Sequence, residues 1–249
     1  MSNRQHPSGL EYRLQPIMRL HDDNAIAFEL LAGRDRCPPM SLEDWIEWYS
    51  WLPLIAVTHP GKRLFVNVDS SHLLQPAVMT SLLDLHRCLE QRDRSGSVVL
   101  EWTEHGTEQQ IEAARGPILE LQAKGFPIAV DDVGSGADGI GRICHVRAQY
   151  AKISHPLFHS LRGAGNVERL WRLRMSLESF GSQVVLEGVE TLEDLQMARA
   201  AAFHLVQGFF FPATNHAVEL AMRGGGAAHS CQDRAAPPRR QEARSREGV

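Results

Sequence analysis

The chain has 249 residues, of which 43% are hydrophobic and 22% are charged, and its formal net charge is −4. These proportions are ordinary for a soluble globular protein, and the small negative charge favours neither a nucleic acid polymer nor a membrane surface as a partner. The N-terminal segment lacks the apolar core of a signal peptide, and no stretch reaches the roughly 18 apolar residues of a membrane span. The four cysteines are widely spaced, which is typical of reduced thiols. We therefore expect a cytoplasmic protein.

The chain opens with a predicted β-hairpin, and strands and helices alternate after it. The hairpin strands are Tyr12–Leu20 and Ala25–Gly33, joined by the polar turn HDDN. The later strands are predicted at Arg63–Asp69, Val98–Glu104, Pro127–Val133, Gln149–Ser154, Val184–Val189 and Leu205–Phe211. Helices are predicted after Ser41, at Ala77–Gln91, Glu108–Lys124, Val167–Phe180 and Thr191–Phe203, and, as a short helix, after the turn GSGADG. This alternation predicts an α/β fold, a modified TIM-type (β/α)8 barrel with one antiparallel strand near the N-terminus.

The predicted barrel occupies one domain, residues 12–223, after a flexible N-terminus at residues 1–11. From Gly224 onwards the composition changes to glycine, alanine, proline and arginine without periodicity. Such a segment cannot bury enough apolar surface to offset the entropy of ordering it. We therefore predict a disordered tail over residues 224–249.

Polar side chains stand at the ends of four predicted strands. The segments are FVNV with Asn67, VVLEWTE with Glu101 and Glu104, PIAVDDVGSG with Asp131 and Asp132, and VVLEGVE with Glu187 and Glu190. Barrels of this class place their chemistry where the parallel strands end. Carboxylates that converge from several strands repel one another unless a cation lies among them, so the pattern predicts a metal site.

Each candidate residue also has a plain structural explanation. Asn67 inside an apolar strand could be a buried amide bonded to backbone, and the Asp131–Asp132 pair could cap the next helix. Lys152, in the segment YAKIS, could be a strand lysine whose amine reaches solvent. Gln207, before a glycine, could be a turn residue. A glutamate such as Glu29, on a hairpin strand, is more often exposed than a metal ligand.

Taken together, the motifs resemble the EAL-domain cyclic-di-GMP phosphodiesterases of bacteria. The resemblance runs from Gln15 to about Pro212. The segments that carry it are QPI, FELL in place of Glu-Ala-Leu, FVNV, LEWTE, DDVGSG, YAKIS, VVLEGVET and VQGFFF. Because these segments also follow the family's order and spacing, we prefer the family interpretation to the separate structural explanations.

The resemblance implies a two-metal hydrolase that converts cyclic-di-GMP to linear pGpG in second-messenger signalling, with Mg²⁺ or Mn²⁺ as cofactor. The implied metal ligands are Glu29, Asn67, Glu101, Asp131, Asp132 and Glu187. The implied catalytic residues are Lys152, Glu187 and Gln207, and the implied substrate-binding residues are Gln15, Leu31 and Arg34. Lys152 would orient or deprotonate the attacking water, with a pKa lowered by the neighbouring metals. Glu104 would hold the loop after Asp132, and Glu190 would support its neighbours.

The chain also departs from the family pattern. Gly33 stands where the family has a phosphate-binding arginine, with Arg34 beside it, and the segment that follows is shorter than usual. Ser154 replaces an aspartate of the family. These departures concern the substrate and the surroundings of the metals, whereas every implied metal ligand is present.

Two hypotheses therefore stay open. The first is an active phosphodiesterase, which the retained ligand set favours. The second is a catalytically weak or inactive EAL-like domain that acts as a cyclic-di-GMP receptor or a protein-interaction module. The helix with Trp45, Trp48 and Trp51 favours a protein partner, because exposed aromatic side chains mark interfaces. A homodimer is a further expectation from the resemblance.

Overall fold

The computed structural model describes residues 9–32, 41–134 and 139–219. The strands are β1 (Gly9–Arg19), β2 (Asn24–Ala32), β3 (Arg63–Val68), β4 (Val98–Trp102), β5 (Ile128–Val133), β6 (Tyr150–Ile153), β7 (Gln183–Leu186), β8 (Leu205–Val206) and β9 (Thr214–Glu219). The helices are α1 (Leu42–Thr58), α2 (Ser70–Leu73), α3 (Pro76–Glu90), α4 (Glu108–Lys124), α5 (Gly139–Val146), α6 (His155–Gly163), α7 (Val167–Ser179) and α8 (Leu192–Ala200).

Strands β1 to β8 close into a barrel. Consecutive strands from β2 to β8 pair in parallel. Strand β1 lies between β2 and β8 and is antiparallel to both, so it completes the ring. The predicted modified TIM-type barrel with one antiparallel strand is confirmed.

Three elements were not predicted: α2, α6 and β9. Helix α6 had a local signal, because Ser154 caps it and a proline follows at the start of the helix. Strand β9 pairs antiparallel with the first half of β1, from Gly9↔Glu219 to Leu14↔Thr214, and this pairing extends β1 ahead of the predicted Tyr12. The predicted tail at residues 224–249 lies outside the described residues.

The barrel interior is filled by an apolar layer. One side chain comes from each of the eight barrel strands: Ile17, Ala27, Phe65, Val99, Ala129, Tyr150, Val185 and Leu205. A larger core packs the outer faces of the strands against the helices. Side chains of a strand alternate between its two faces, so the residue two positions further along each strand also points into the barrel.

The tryptophans of α1 belong mainly to the larger core. Trp48 and Trp51 are only 3% and 9% exposed, and Trp45 is partly buried against the same core. Their burial is explained by packing of α1 on the barrel. The tryptophan-rich helix therefore gives no support to a protein-interaction surface.

Two further expectations concern thiols and membranes. Cys144 is a free, exposed thiol, as expected for a reduced cysteine. Cys37 and Cys231 lie outside the described residues. Among the described helices, none is both long enough and apolar enough to cross a membrane.

Candidate active site

A ring of polar side chains covers the apolar layer at the C-terminal ends of the parallel strands. Each residue of this polar ring follows a residue of the apolar layer by two positions in the sequence. On the antiparallel β1 the order is reversed, and Gln15 precedes Ile17 by two positions. The ring consists of Gln15, Glu29, Asn67, Glu101, Asp131, Lys152, Glu187 and Gln207. Strand periodicity and the barrel register, which pairs Gln15 with Glu29, thus bring residues from eight strands to one opening.

Lys152 lies at the centre of this ring. Its side chain is 1% exposed, and its ammonium group contacts carboxylates from four other strands. The Nζ atom lies 2.7 Å from Glu187 Oε1, 3.3 Å from Glu29 Oε2 and 3.4 Å from Asp131 Oδ1, and it also donates a hydrogen bond to Glu101 Oε1. A solvent-exposed strand lysine is excluded by this burial. The lysine neutralises part of the negative charge that the four carboxylates bring together.

The carboxylate of Glu29 is held by amides on both sides. Asn67 Nδ2 donates to Glu29 Oε1 at 3.3 Å, and Gln207 Nε2 donates to Glu29 Oε2 at 2.5 Å. The hydroxyl of Tyr49 donates to the backbone oxygen of Asn67 at 3.2 Å. Glu29 is 9% exposed, so the common case of an exposed hairpin glutamate does not apply.

A second group of carboxylates lies where β5 ends. Asp131, Asp132 and Glu104 each place one oxygen within 4.8 Å of the others, and Asp132 hydrogen-bonds to Glu104. Asp132 has φ of 51°, in the left-handed region that aspartate tolerates. This turn lets two adjacent aspartates serve one site. Gly134 follows with φ of 100°, and a Cβ there would lie 2.2 Å from Leu157 Cδ2.

Burial and mutual repulsion control the charges of the site. Burial raises the pKa of Glu101 well above its ordinary value, and Lys152 only partly offsets this. Burial likewise raises the pKa of Glu187 to about 8, and burial with the charge of Asp131 raises the pKa of Asp132 to about 6.

The carboxylates around Lys152 control its pKa in this arrangement. Burial lowers it, but the surrounding carboxylates outweigh burial and raise the pKa well above its ordinary value. Lys152 is therefore protonated in this arrangement. The expectation of a lowered pKa concerns the protein with cations bound, and it stays a prediction.

The buried oxygen atoms fit a divalent cation. Among the described residues, no donor satisfies Glu101 Oε2 or Glu104 Oε2, and Asp131 Oδ1 accepts no hydrogen bond although it lies near Lys152. Buried carboxylate oxygens without donors are costly unless a cation satisfies them. Hard cations such as Mg²⁺ and Mn²⁺ prefer oxygen ligands of this kind.

Three supporting residues were missed by the sequence analysis or assigned a lesser role. Arg142 is fully buried, and its guanidinium donates to the backbone oxygens of Trp102 and Asp131 at 2.9 Å each. Asp194, which belongs to the capping box of α8, also accepts from the backbone nitrogen of Glu190 at 3.0 Å. Ser154, which replaces an aspartate of the family, is buried and caps α6. Of these three residues, only Ser154 and Asp194 have a local sequence signal, because both cap helices.

Of the three predicted substrate-binding residues, the structure describes two. Gln15 lines a cavity of about 250 Å³ beside the ring, together with Glu29, Glu187, Gln207, Glu190, His155 and Phe209. Leu31 is partly buried on β2, two residues beyond Glu29 and on the same strand face. Arg34 and the neighbouring Gly33 lie outside the described residues.

Comparison with known families decides the relationship. The sequence model that describes the EAL domain family matches residues 51–213 of this chain. The chain belongs to the EAL domain family. The matched range contains the ring residues from Asn67 to Gln207, whereas Gln15 and Glu29 lie on the hairpin that precedes it. The resemblance inferred from the motifs is confirmed.

Curated relatives of this EAL domain include two cyclic di-GMP phosphodiesterases. The chain is 27% identical over 152 residues to the probable cyclic di-GMP phosphodiesterase PdeG of Escherichia coli, covering 61% of this chain and 30% of PdeG. It is 25% identical over 171 residues to the cyclic di-GMP phosphodiesterase PA2567 of Pseudomonas aeruginosa, covering 68% of this chain and 29% of that protein. The chain thus spans less than a third of the length of either relative.

Solved structures share the fold of this EAL domain. Klebsiella pneumoniae BlrP1, solved with calcium and cyclic di-GMP, superposes with a TM-score of 0.68 at 20% identity, covering 88% of this chain and 61% of that chain. The EAL domain of Mycobacterium smegmatis DcpA gives a TM-score of 0.62 at 23% identity, covering 83% and 91%. BlrP1 was also solved with manganese and the dinucleotide. At these identities the likeness establishes the fold.

Proposed function

We propose that this EAL domain hydrolyses cyclic di-GMP to linear pGpG with divalent cations as cofactors. The observation that carries the proposal is the convergence of four carboxylates and Lys152 at one barrel opening. The names of the relatives supply the substrate, and the solved complexes with calcium or manganese and cyclic di-GMP supply the class of cofactor.

The proposed cation ligands belong to the ring, with Asp132 added at the end of β5. They are Glu29, Asn67, Glu101, Asp131, Asp132 and Glu187. When bound, a pair of Mg²⁺ or Mn²⁺ ions lowers the pKa of bound water and neutralises the oxygens of the phosphodiester. Arg142 holds the backbone at Asp131, and Glu104 holds Asp132, so these two residues keep the ligands in place.

Lys152 and Glu187 divide the remaining chemistry between them. Lys152 orients or deprotonates the attacking water: the carboxylates alone raise its pKa, and bound cations that pair with the same carboxylates would lower it. Glu187 lies 2.7 Å from Lys152 Nζ, so as an ionised cation ligand it would also keep the lysine side chain in position. Gln207 fixes Glu29 through its amide nitrogen, and its oxygen finds no donor among the described residues, so it can accept one from water or substrate.

The cavity beside the ring is the proposed position of the substrate. Gln15 lies on its wall, and the ring of Phe209, which is 77% exposed, offers an aromatic face on which a guanine base can stack. Leu31 and Arg34 stay proposed contacts, the arginine for a phosphate.

The test is turnover of cyclic di-GMP by the full chain with Mg²⁺ or Mn²⁺, with pGpG measured by chromatography. We expect Glu29→Ala and Lys152→Ala to lower the rate by roughly 100-fold or more, the usual size of acid–base and ligand contributions. Glu112→Gln is the matched control, because the Glu112 side chain is 65% exposed and lies on the helical face of the barrel.

A wild-type rate no higher than that of the two variants would contradict the enzyme hypothesis. If cyclic di-GMP still bound under those conditions, the receptor hypothesis would be supported instead. Homodimerisation stays a prediction, and light scattering after size-exclusion chromatography tests it.

A further inference from the structure

Three side chains of types that can bind a metal lie beside the barrel opening, outside the polar ring and the carboxylates at the end of β5. His155 and His159 are four residues apart on α6 and therefore share one helix face, and Glu190 lies in the loop between β7 and α8. One ligand atom from each of the three lies within 4.8 Å of the other two. The imidazole rings are 4.0 Å apart between centroids, and His155 Nε2 lies 3.7 Å from Glu190 Oε1.

Hydrogen bonds hold the side chain of His159 and the backbone of Glu190. The Nε2 atom of His159 lies 3.0 Å from the backbone oxygen of Gly188. Since a carbonyl oxygen only accepts, Nε2 carries the proton, and Nδ1 keeps its lone pair for a ligand. Metal-binding histidines in proteins have this same support, with one nitrogen on the metal and the other donating to a carbonyl or carboxylate. Asp194 fixes Glu190 by accepting a hydrogen bond from its backbone nitrogen.

Gly188 also brings the loop close to the histidines. A Cβ at this position would lie 2.2 Å from His155 Cδ2, and the backbone has φ of 72°. Only glycine meets both conditions without strain. The loop and the helix therefore approach one another closely at the point where the three side chains meet.

The chemistry of this group differs from that of the ring. Two imidazoles and one carboxylate are the ligands of open zinc sites, in which water or another molecule takes the fourth position. Imidazole nitrogen favours Zn²⁺ and its transition-metal neighbours, whereas the all-oxygen ring favours Mg²⁺ or Mn²⁺. The two groups therefore select different ions.

We propose that His155, His159 and Glu190 bind one transition-metal ion, Zn²⁺ in the first instance, separately from the cations of the ring. His155 and Glu190 also line the cavity beside the ring, so the ion lies at the edge of that cavity. This proposal concerns ion binding alone and does not rest on phosphodiester hydrolysis.

The experiment is calorimetric titration of the metal-stripped full chain with Zn²⁺ in the presence of excess Mg²⁺, which is added to compete for the proposed cation sites of the ring. We expect His155→Ala/His159→Ala to bind one equivalent of Zn²⁺ fewer than the wild type, or to bind it more than about 100-fold more weakly. The matched control is His21→Ala/His145→Ala, which removes two exposed histidines that belong to no metal-binding group among the described residues. The control variant should bind the same number of Zn²⁺ equivalents as the wild type, with the same affinity.

Two further variants separate the possible outcomes. Glu101→Gln, which alters the ring, should keep the Zn²⁺ site, and Glu190→Gln should weaken it while circular dichroism shows an unchanged fold. The visible spectrum of bound Co²⁺ should change in Glu190→Gln and in the double histidine variant but not in Glu101→Gln. The proposal is overturned if the wild type binds no Zn²⁺ beside Mg²⁺, if the histidine control loses the same equivalent, or if only Glu101→Gln loses it.

Discussion

The Nζ atom of Lys152 lies 2.7 Å from Oε1 of Glu187, which directly follows the neighbouring strand β7. The register pairs Lys152 with Val185, so Glu187 stands two residues beyond the partner of Lys152 and on the same face. The ammonium group and a divalent cation are alternative partners for the same carboxylate oxygens. This relation makes the lysine a stabilising counter-ion as well as a catalytic candidate.

Replacement of Lys152 by methionine should therefore destabilise the cation-free protein more than the cation-bound protein. Removing one partner of a buried charge cluster typically costs about 3–5 kcal/mol. We expect the Tm of Lys152→Met to fall in a chelator and to recover substantially in Mg²⁺ or Mn²⁺, because a divalent cation replaces the missing charge. Lys124→Met, at an exposed position in the last turn of α4, is the control. Equal Tm values for wild type and Lys152→Met in a chelator would contradict the counter-ion role.

Binding of divalent cations to the ring should strengthen as pH rises. Burial raises the pKa of Glu187 to about 8 and of Asp132 to about 6, so both carboxyls hold protons at lower pH. A cation must displace these protons, since it binds the ionised form. Affinity should increase from below pH 6 to above pH 8, with proton release detectable by calorimetry in buffers of different ionisation enthalpy. The same affinity across this range would show that these groups do not hold the ion.

Loss of Asp194 should destabilise the fold in a pH-dependent way. Its carboxylate is fully buried and accepts from Arg162 at 2.7 Å, from the Thr191 nitrogen at 2.9 Å and from the Glu190 nitrogen at 3.0 Å. Burial raises the pKa of Asp194, but these hydrogen bonds outweigh it and lower the pKa. Because the folded pKa is lowered, the stabilisation is present above the unfolded pKa and is lost as pH falls through the folded pKa.

We expect Asp194→Ala to lower the free energy of unfolding by about 1–3 kcal/mol at neutral pH, measured with urea. The difference from wild type should shrink in acid. The neighbouring Glu193→Ala is the control, because Glu193 is exposed. An equal loss in both variants would show that the buried network contributes nothing specific.

Gly208→Ala should disturb the opening next to Gln207. A Cβ at Gly208 would lie 2.2 Å from the backbone oxygen and 2.4 Å from the backbone nitrogen of Val189, and backbone atoms cannot rotate away. We expect a loss of stability of about 1–3 kcal/mol, the usual size for overpacking, together with a lower rate of cyclic di-GMP turnover. At Gly163, by contrast, a Cβ meets no atom within 4 Å. Gly163→Ala should therefore change the stability and the turnover rate very little. Wild-type stability of Gly208→Ala in urea unfolding would refute this contact.

The local features of the fold were predictable because each depends on residues close in sequence. Helix α4 runs over Glu108–Lys124 as predicted, with Thr107 capping its start and Gly125 at φ of 108° ending it. The strands were predictable because apolar runs end in polar side chains at regular intervals along the chain. Among the elements that were not predicted, α6 has a local sequence signal, because a capping serine and a proline stand at its start. Strand β9 has no such signal, because it depends on pairing with a strand about 200 residues away.

The sequence by itself determined which side chains the strands carry and, through the order of its motifs, the family. Only the tertiary structure decided their arrangement: Lys152 at the centre of four carboxylates, and Glu29, 123 residues away, beside it. It also placed Arg142 behind Asp131, and His155 and His159 against Glu190. The physical reason is that periodicity and capping are set within a few residues, whereas these distances are set by strand register around a closed barrel.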